Sequence, residues 1–224
     1  SSNNVAFGAS DIKLTDFYIT KSFKDFDLSL EVPLFTGTMG NVYQNGISTT
    51  YQAQGFIFEA KYHYNNKWNF FLNAGMISGE DGNSSSFEAL YLNPNYQIAR
   101  LMFRHNPTAI SDNTQNVYDS YITNATYIKL LTQYQDQKSL WNLSLIYGKA
   151  NEVATTGQSV AFNHQQNRTF APTTNQESDL GFEIDLDYSY QWNDEMSFNL
   201  NLGYLLAGDY YAYTNNTTVV NESE

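Results

Sequence analysis

Three carboxylates occupy alternate positions of one segment: Glu183, Asp185 and Asp187. Side chains two residues apart on a strand point to the same face, so these three would form a ladder of negative charge. Where such a ladder lines a water-filled passage, it attracts cations and repels anions. The alternative is a charged wall that is merely solvated or salt-bridged. The sequence leaves both interpretations open.

The positions between these carboxylates are apolar. Residues 180–193 alternate throughout, with one phase made of Leu180, Phe182, Ile184, Leu186, Tyr188, Tyr190 and Trp192. This pattern predicts a strand with one apolar face and one polar face. A tilted strand needs about 9–11 residues to cross a bilayer, and this segment is long enough.

Seven further segments carry strand-like patterns and combine with this one into hairpins. The predicted pairs are 11–23 with 26–37, 50–64 with 68–79, 122–134 with 140–150, and 180–192 with 196–210. The turns within pairs are short, whereas 38–48, 80–121 and 151–179 are long and rich in Asn, Ser, Thr and Gly. This asymmetry is typical of bacterial outer-membrane barrels, whose short turns face the periplasm.

All three tryptophans, Trp68, Trp141 and Trp192, lie within three residues of a short turn and share the apolar phase of their strands. Other aromatic residues are predicted at the same level: Tyr62, Tyr64, Tyr188 and Tyr190. Aromatic rings favour the membrane–water interface, so this clustering predicts an interfacial girdle. A water-soluble barrel or sandwich with aromatics in its core would explain the alternation, but not the clustering at one end.

The polar phase of the strands is predicted to line a hydrated interior, because unpaired buried charges are costly. Its charged members are Asp27, Glu31, Glu59, Lys61, Glu183, Asp185 and Asp187. In the loop 80–121, Ser85 and Glu88 are spaced as a capping box for a short helix, and 96–104 reads as an extended piece. If this loop folds inward, Arg100 and Arg104 would oppose the ladder and form a constriction. An exterior loop with locally paired arginines is the alternative.

Composition argues against several other classes of protein. The formal net charge of −12 disfavours nucleic acid as a partner, since phosphates need a basic surface. The chain has no cysteine, and its three histidines, His63, His105 and His164, lack ligand-like spacing. We therefore expect no metal, no cofactor and no enzymatic activity.

Three segments resemble the alginate-export-like family of bacterial outer-membrane porins. They are LYLNPNYQIARLMFRH at 90–105, NVYDSYITNATYIKLLTQY at 116–134 and LGFEIDLDYSYQWNDEMSFNLNLGYLLAGDYY at 180–211. The resemblance implies a large antiparallel barrel whose loops partly plug the pore, used for polysaccharide export or passive diffusion. It also implies a basic selectivity pore in the export channel, from which the acidic ladder of this chain departs.

The sequence thus predicts an all-β fold, an antiparallel up-and-down transmembrane barrel with at least eight long strands. We expect residues 1–224 to form a single domain that is part of a larger barrel, with 80–121 folded into the lumen. The predicted function is a porin-like channel in a bacterial outer membrane for passive diffusion of small hydrophilic solutes. Its partners would be the lipid bilayer, the solutes, and further copies or envelope proteins. The alternatives are a non-channel barrel for structure, adhesion or scaffolding, and a secreted soluble β-protein.

Overall fold

A computed structural model describes residues 10–41, 47–82, 85–104, 121–164 and 168–213. All regular elements in these ranges are strands. The eight long strands are β1 (Asp11–Ser22), β2 (Phe26–Thr38), β3 (Thr50–His63), β4 (Trp68–Ile77), β6 (Ala125–Gln135), β7 (Ser139–Ala150), β10 (Asp179–Gln191) and β11 (Ser197–Ala207). The three short ones are β5 (Ser86–Phe87), β8 (Ala161–Asn163) and β9 (Arg168–Phe170).

The predicted all-β class is confirmed, and each of the eight long strands ends within three residues of its predicted bounds. The long strands form one antiparallel sheet in the order β1-β2-β3-β4-β6-β7-β10-β11. β5 adds a short parallel pairing to β3, and β8 pairs with β9 as a separate hairpin. The main sheet is open, with β1 and β11 at its edges. The described part of the chain holds no helix that could serve as a membrane span.

Three of the short turns are stabilised by the same pattern of side-chain to backbone hydrogen bonds. Asn65 Oδ1 accepts hydrogen bonds from the N–H groups of the residues two and three positions later, at 2.8 and 2.9 Å. Asp136 Oδ1 does the same at 2.9 and 2.7 Å, and Asn193 Oδ1 at 3.0 and 2.8 Å. Asn and Asp are favoured in turns because their side chains replace missing backbone acceptors. These caps hold the ends of the hairpins that the sequence predicts.

The two faces of the sheet differ in polarity, and the register shows it row by row. One row across six strands is apolar: Phe58, Ala74, Ile128, Tyr147, Phe182 and Leu206. The next row faces the other way: Glu59, Asn73, Lys129, Ile146, Glu183 and Leu205. The apolar side is the exposed face, where Ile184 keeps 38% of its surface accessible, while neighbouring Glu183 keeps 0%. Along these two rows, the apolar side chains of the first are on the whole more exposed than the polar side chains of the second.

The polar side of the sheet, here termed the covered face, packs against residues 85–104, here termed the covering segment. Apolar residues of both form one core near the long-loop end of the sheet. From the covering segment come Leu90, Leu92, Ile98, Ala99, Met102 and Phe103. From the sheet come Ala53, Ile57, Ile77, Ala125, Tyr127, Ile146 and Leu180. Two local predictions are wrong here: 85–91 contains the strand β5 instead of a helix, and 96–104 is irregular, with bends and a turn instead of a strand.

Leu180 is a further exception to the predicted alternation. The register with β7 shifts between Asp179 and Gly181, and Gly181 has a φ of 102°. A bulge of this kind places two residues opposite one and turns a side chain to the other face. Leu180 is therefore 6% exposed in the core under the covering segment, and does not share the exposed face with Phe182.

Candidate functional site

One carboxylate of the sheet binds three successive backbone N–H groups of the covering segment. Glu183 Oε1 accepts hydrogen bonds from the backbone N–H groups of Arg100 and Leu101, both at 2.8 Å. Its Oε2 accepts from the N–H of Met102 at 2.7 Å. Hydrogen bonds to an ionised acceptor are about twice as strong as neutral ones. Glu183 thus fixes three successive residues of the covering segment at the middle of β10.

The other two members of the ladder also contact Arg100. Asp185 is 3% exposed, and its Oδ2 accepts from the Arg100 N–H at 3.2 Å. The Arg100 guanidinium forms an ion pair with Asp187 and donates to Asn201 Oδ1 at 2.9 Å. Of the three ladder carboxylates, Asp187 keeps the clearest contact with solvent, with 30% of its side chain exposed. The expectation that the whole ladder faces open water is therefore wrong for Glu183 and Asp185, because the covering segment occupies that space.

The two predicted constriction arginines have different positions. Arg100 lies against the ladder, as the constriction hypothesis requires. Arg104 is exposed, and its backbone N–H donates to Leu101 O at 3.1 Å within the covering segment. No hydrogen bond or ion pair between Arg104 and the ladder is seen among the described residues. The alternation across 96–104 that would have put both arginines on one face does not exist, since this stretch is not a strand.

A second set of contacts joins the covering segment to β3. Glu59 accepts hydrogen bonds from Asn73 Nδ2 at 2.8 Å, Tyr96 Oη at 3.2 Å and Ser29 Oγ at 3.3 Å. Tyr127 Oη donates in turn to Tyr96 Oη at 3.1 Å. Burial raises the pKa of Tyr96 to about 12, so its hydroxyl stays protonated and can donate at neutral pH.

The remaining predicted lining residues also lie on the covered face. Asp27 pairs in register with Lys61, and Glu31 with Ile57. Asp27 Oδ2 lies 2.7 Å from His63 Nε2, and the Lys61 ammonium lies 5.4 Å from the centre of the Phe71 ring. The structure thus brings the predicted polar residues to one face, although their role as a pore lining stays a prediction.

A polar cluster that the sequence did not reveal joins two long loops, 80–121 and 151–179. Glu80 is 1% exposed, and its carboxylate accepts from the N–H groups of Gly82 at 3.0 Å and Glu88 at 2.7 Å. Its own N–H donates to His164 Nε2 at 2.7 Å. Burial lowers the pKa of His164 to about 3 and raises that of Glu80. No sequence motif relates positions 80 and 164, so this contact could not be predicted. The third histidine, His105, lies outside the described residues.

The aromatic residues predicted as a girdle form a belt on the exposed face at the short-turn end. Trp68 contacts Tyr134 with ring centres 4.8 Å apart, and Trp141 contacts Tyr188 at 4.0 Å, both pairs being tilted. Further ring contacts join Tyr62 to Phe26, Tyr64 and Phe70, and Tyr190 to Tyr188 and Trp192. Trp192 and Tyr64 are 63% and 62% exposed. These ring contacts form three groups along the end of the sheet where the turns are short.

No protein-family model matches the chain, and no curated protein matches it. The resemblance to alginate-export-like porins therefore stays a prediction. Among the described residues, no group of three or more His, Asp and Glu side chains is arranged to hold a metal ion. The candidate site consequently rests on geometry: a polar covered face, and a segment anchored across it.

Proposed function

We propose that this chain forms the wall of an outer-membrane β-barrel channel through which small hydrophilic solutes diffuse passively along the covered face. One observation carries the proposal: β10 exposes Ile184 at 38% while it buries Glu183 at 0%. An exposed apolar face is expected where a strand contacts lipid, and an enclosed acidic face is expected where it lines the interior of a barrel. Large exposed apolar surfaces generally mark contact with a partner protein or a membrane.

The aromatic belt supports a defined orientation in the bilayer. Trp and Tyr are enriched where an apolar ring and a polar tip are both satisfied, at the headgroup level. With the belt at one membrane interface, the short turns would lie in the periplasm and the long loops outside the cell. The cluster of Glu80 and His164 would then lie beyond the membrane and stabilise the loops.

Closure of the sheet requires partners for both edges. Among the described residues, β1 and β11 each have one side without a partner strand, and unpaired backbone groups are very costly in a membrane. An eight-stranded barrel is filled by its own side chains, which leaves little room for the covering segment. The proposed barrel therefore contains additional strands, and the covering segment narrows its lumen.

The charge preference of the channel would depend on Asp187 and Arg100. Glu183 is fully engaged by backbone N–H groups, whereas Asp187 and Arg100 are each about one-third exposed, at 30% and 36% of their side chains. Because the two groups form one ion pair on the covered face, the exposed part of that pair sets the local field at the wall of the passage. The excess of carboxylates on this face favours cations over anions.

Conductance of the purified protein in planar lipid bilayers tests this proposal. Discrete current steps are expected, and Asp187→Asn should lower the cation preference measured by reversal potential. Asp194→Asn, which removes the same charge from a short turn, is the matched control and should leave that preference unchanged. A complete lack of current steps at any voltage would contradict the channel.

A non-channel barrel is the second candidate, favoured by one observation. The covering segment is fixed by three backbone hydrogen bonds to Glu183 and by an apolar core, so it could block the passage permanently. Such a barrel would serve as a structural or scaffold protein through its outer loops. Detergent-dependent solubility without conductance would favour it over the channel.

A further inference from the structure

A row of side-chain amides crosses the covered face near its short-turn end. His63 Nδ1 lies 3.0 Å from Asn69 Oδ1, and Asn69 Nδ2 donates to Gln133 Oε1 at 3.1 Å. Gln133 Nε2 donates in turn to Asn142 Oδ1 at 3.0 Å. The register extends the same row to Asp187 and Asn201. We call these six residues, on six strands, the amide row.

Within the part of the chain that the structure describes, the amides in the middle of this row keep unused hydrogen-bonding capacity. A primary amide offers two N–H donors and a carbonyl oxygen with two lone pairs. Asn69 and Gln133 each spend one N–H and one lone pair along the row. Both are partly exposed, so the remaining donor and acceptor of each can reach a solute on the covered face. A hydroxyl group, which donates and accepts at once, matches such a pair.

The charged groups around the row are already engaged. Asp27 contacts His63 at 2.7 Å, and Asp187 pairs with Arg100. Lys129 Nζ donates to Ile98 O at 2.7 Å, and Lys61 lies over the Phe71 ring. A charged solute would have to compete with these contacts, and an anion would also be repelled by the surplus carboxylates. An uncharged solute meets neither obstacle.

We infer that the amide row is a binding subsite for uncharged, polyhydroxylated solutes such as mono- and disaccharides. This inference rests on the proposed channel and names the solute class that its wall favours. Because several weak hydrogen bonds replace water on each hydroxyl in turn, binding would be shallow and reversible, as diffusion through a channel requires.

Planar-bilayer recordings with maltose test the inference. Maltose should interrupt the ion current in a saturable way, and polyethylene glycol of similar size, which lacks the hydroxyl pattern, should reduce it without saturation. Gln133→Met, of similar length but without hydrogen bonds, should weaken the apparent maltose affinity roughly 2–10-fold. Gln137→Met, in a short turn, is the matched control and should leave the affinity unchanged. Asn142→Ala is a second variant, should Gln133→Met fail to insert.

The possible outcomes separate the inference from the proposed function. Ion current without saturable maltose interruption, or with equal interruption in the control and the amide-row variants, overturns the amide row as a subsite and leaves the channel standing. Ion current that is interrupted preferentially by a charged sugar acid overturns the assigned solute class. No ion current under any condition overturns the proposed function itself.

Discussion

The backbone N–H of Met102 donates to Glu183 Oε2 across 2.7 Å, although 81 positions separate the two residues in the chain. Through this contact the acidic ladder binds the covering segment, whereas its spacing predicts only a charged wall facing water. In a largely dehydrated position, a carboxylate that accepts several N–H groups is held firmly, and it holds its donors equally firmly. The Glu183 carboxylate, which would otherwise face solvent, thus positions the covering segment on the covered face.

Glu183→Gln should loosen the covering segment. The glutamine amide replaces one acceptor oxygen with a donor, so at least one of the N–H groups of residues 100–102 is left unpaired. An unpaired buried donor costs about 1–3 kcal/mol. We expect faster hydrogen exchange at Arg100, Leu101 and Met102, and larger single-channel currents.

Glu31→Gln provides the matched control for that variant. It removes the same charge from the covered face, but Glu31 lies on β2, which pairs with β1 and β3 and not with β10. Exchange at residues 100–102 should stay at the wild-type rate. If both variants change exchange equally, the effect is one of net charge and not of the hydrogen bonds to Glu183.

Arg100→Met should raise the cation preference of the channel with little loss of stability. The change frees Asp187 from its ion pair, whereas the backbone N–H of residue 100 can still donate to Glu183. The pair is about one-third exposed, with 36% and 30% of its side chains accessible, so its loss should cost no more than about 1 kcal/mol. Reversal potentials and denaturant midpoints measure the two effects separately.

Arg104→Met is the control for Arg100→Met because Arg104 is exposed and does not contact the ladder. Both variants remove one positive charge from the covering segment. A similar rise in cation preference in both would show that net charge, and not the specific pair with Asp187, sets selectivity.

The bulge at the start of β10 strongly favours glycine at position 181. A Cβ at Gly181 would lie 2.1 Å from Leu206 O, and the φ of 102° is one that side-chain-bearing residues avoid. Gly157 also has a positive φ, of 95°, but nothing lies within 4 Å of its position for a Cβ. Gly157→Ala should therefore cost only about 1 kcal/mol, whereas Gly181→Ala should cost roughly 2–5 kcal/mol. Equilibrium unfolding in detergent compares them, and equal losses would contradict a role for the clash.

The strands and their pairing were predictable because their physical signal is local. Alternation fixes which residues share a face, and short polar turns such as the one at Asn193 fix which strands are neighbours. The bulge at Leu180 was not predictable, since it depends on a glycine conformation and on a core contact with a distant segment. The openness of the sheet is likewise a property of the edges, which alternation within a strand does not encode.

The candidate site was predictable in composition but not in connectivity. The polar phase correctly indicated which residues, among them Asp27 and Glu183, would share a face. The sequence also pointed to Arg100 as a partner of the ladder, but it grouped Arg104 with it on the assumption of an extended segment. Backbone donors carry no side-chain signature, so the bonds from residues 100–102 to Glu183 had no pattern by which to be found. The same applies to the contact between Glu80 and His164.

Tryptophan fluorescence should place the aromatic belt at the headgroup level. In variants that retain Trp68, Trp141 or Trp192 alone, lipids brominated near the headgroup should quench more strongly than lipids brominated near the chain end. Leu145→Trp in a tryptophan-free background is the matched control, because Leu145 lies on the exposed face in the same row as Ile184, near mid-strand. It should show the opposite order. Equal quenching at all four positions would contradict the proposed orientation.

The loop cluster should make stability depend on pH through His164. Its pKa is lowered by burial from 6.5 to about 3, so between these values the unfolded chain binds a proton that the folded chain does not. Stability from this residue is therefore complete above about pH 6.5 and is lost as the pH falls, by up to about 1.4 kcal/mol per pH unit. Protonation would place a hydrogen on Nε2, against the N–H of Glu80, and so break their bond.

His164→Gln isolates this effect from that of Glu80. The raised pKa of Glu80 acts in the opposite direction, because it makes stability fall as the pH rises above 4.5. The glutamine side chain of the variant can still accept from the Glu80 N–H but does not titrate, so the difference in unfolding free energy between wild type and variant reports His164 alone. As the pH is lowered from about 6 to about 4, the unfolding free energy of the wild type should fall relative to that of the variant. A difference that stays constant over this interval would show that His164 is not buried in its neutral form.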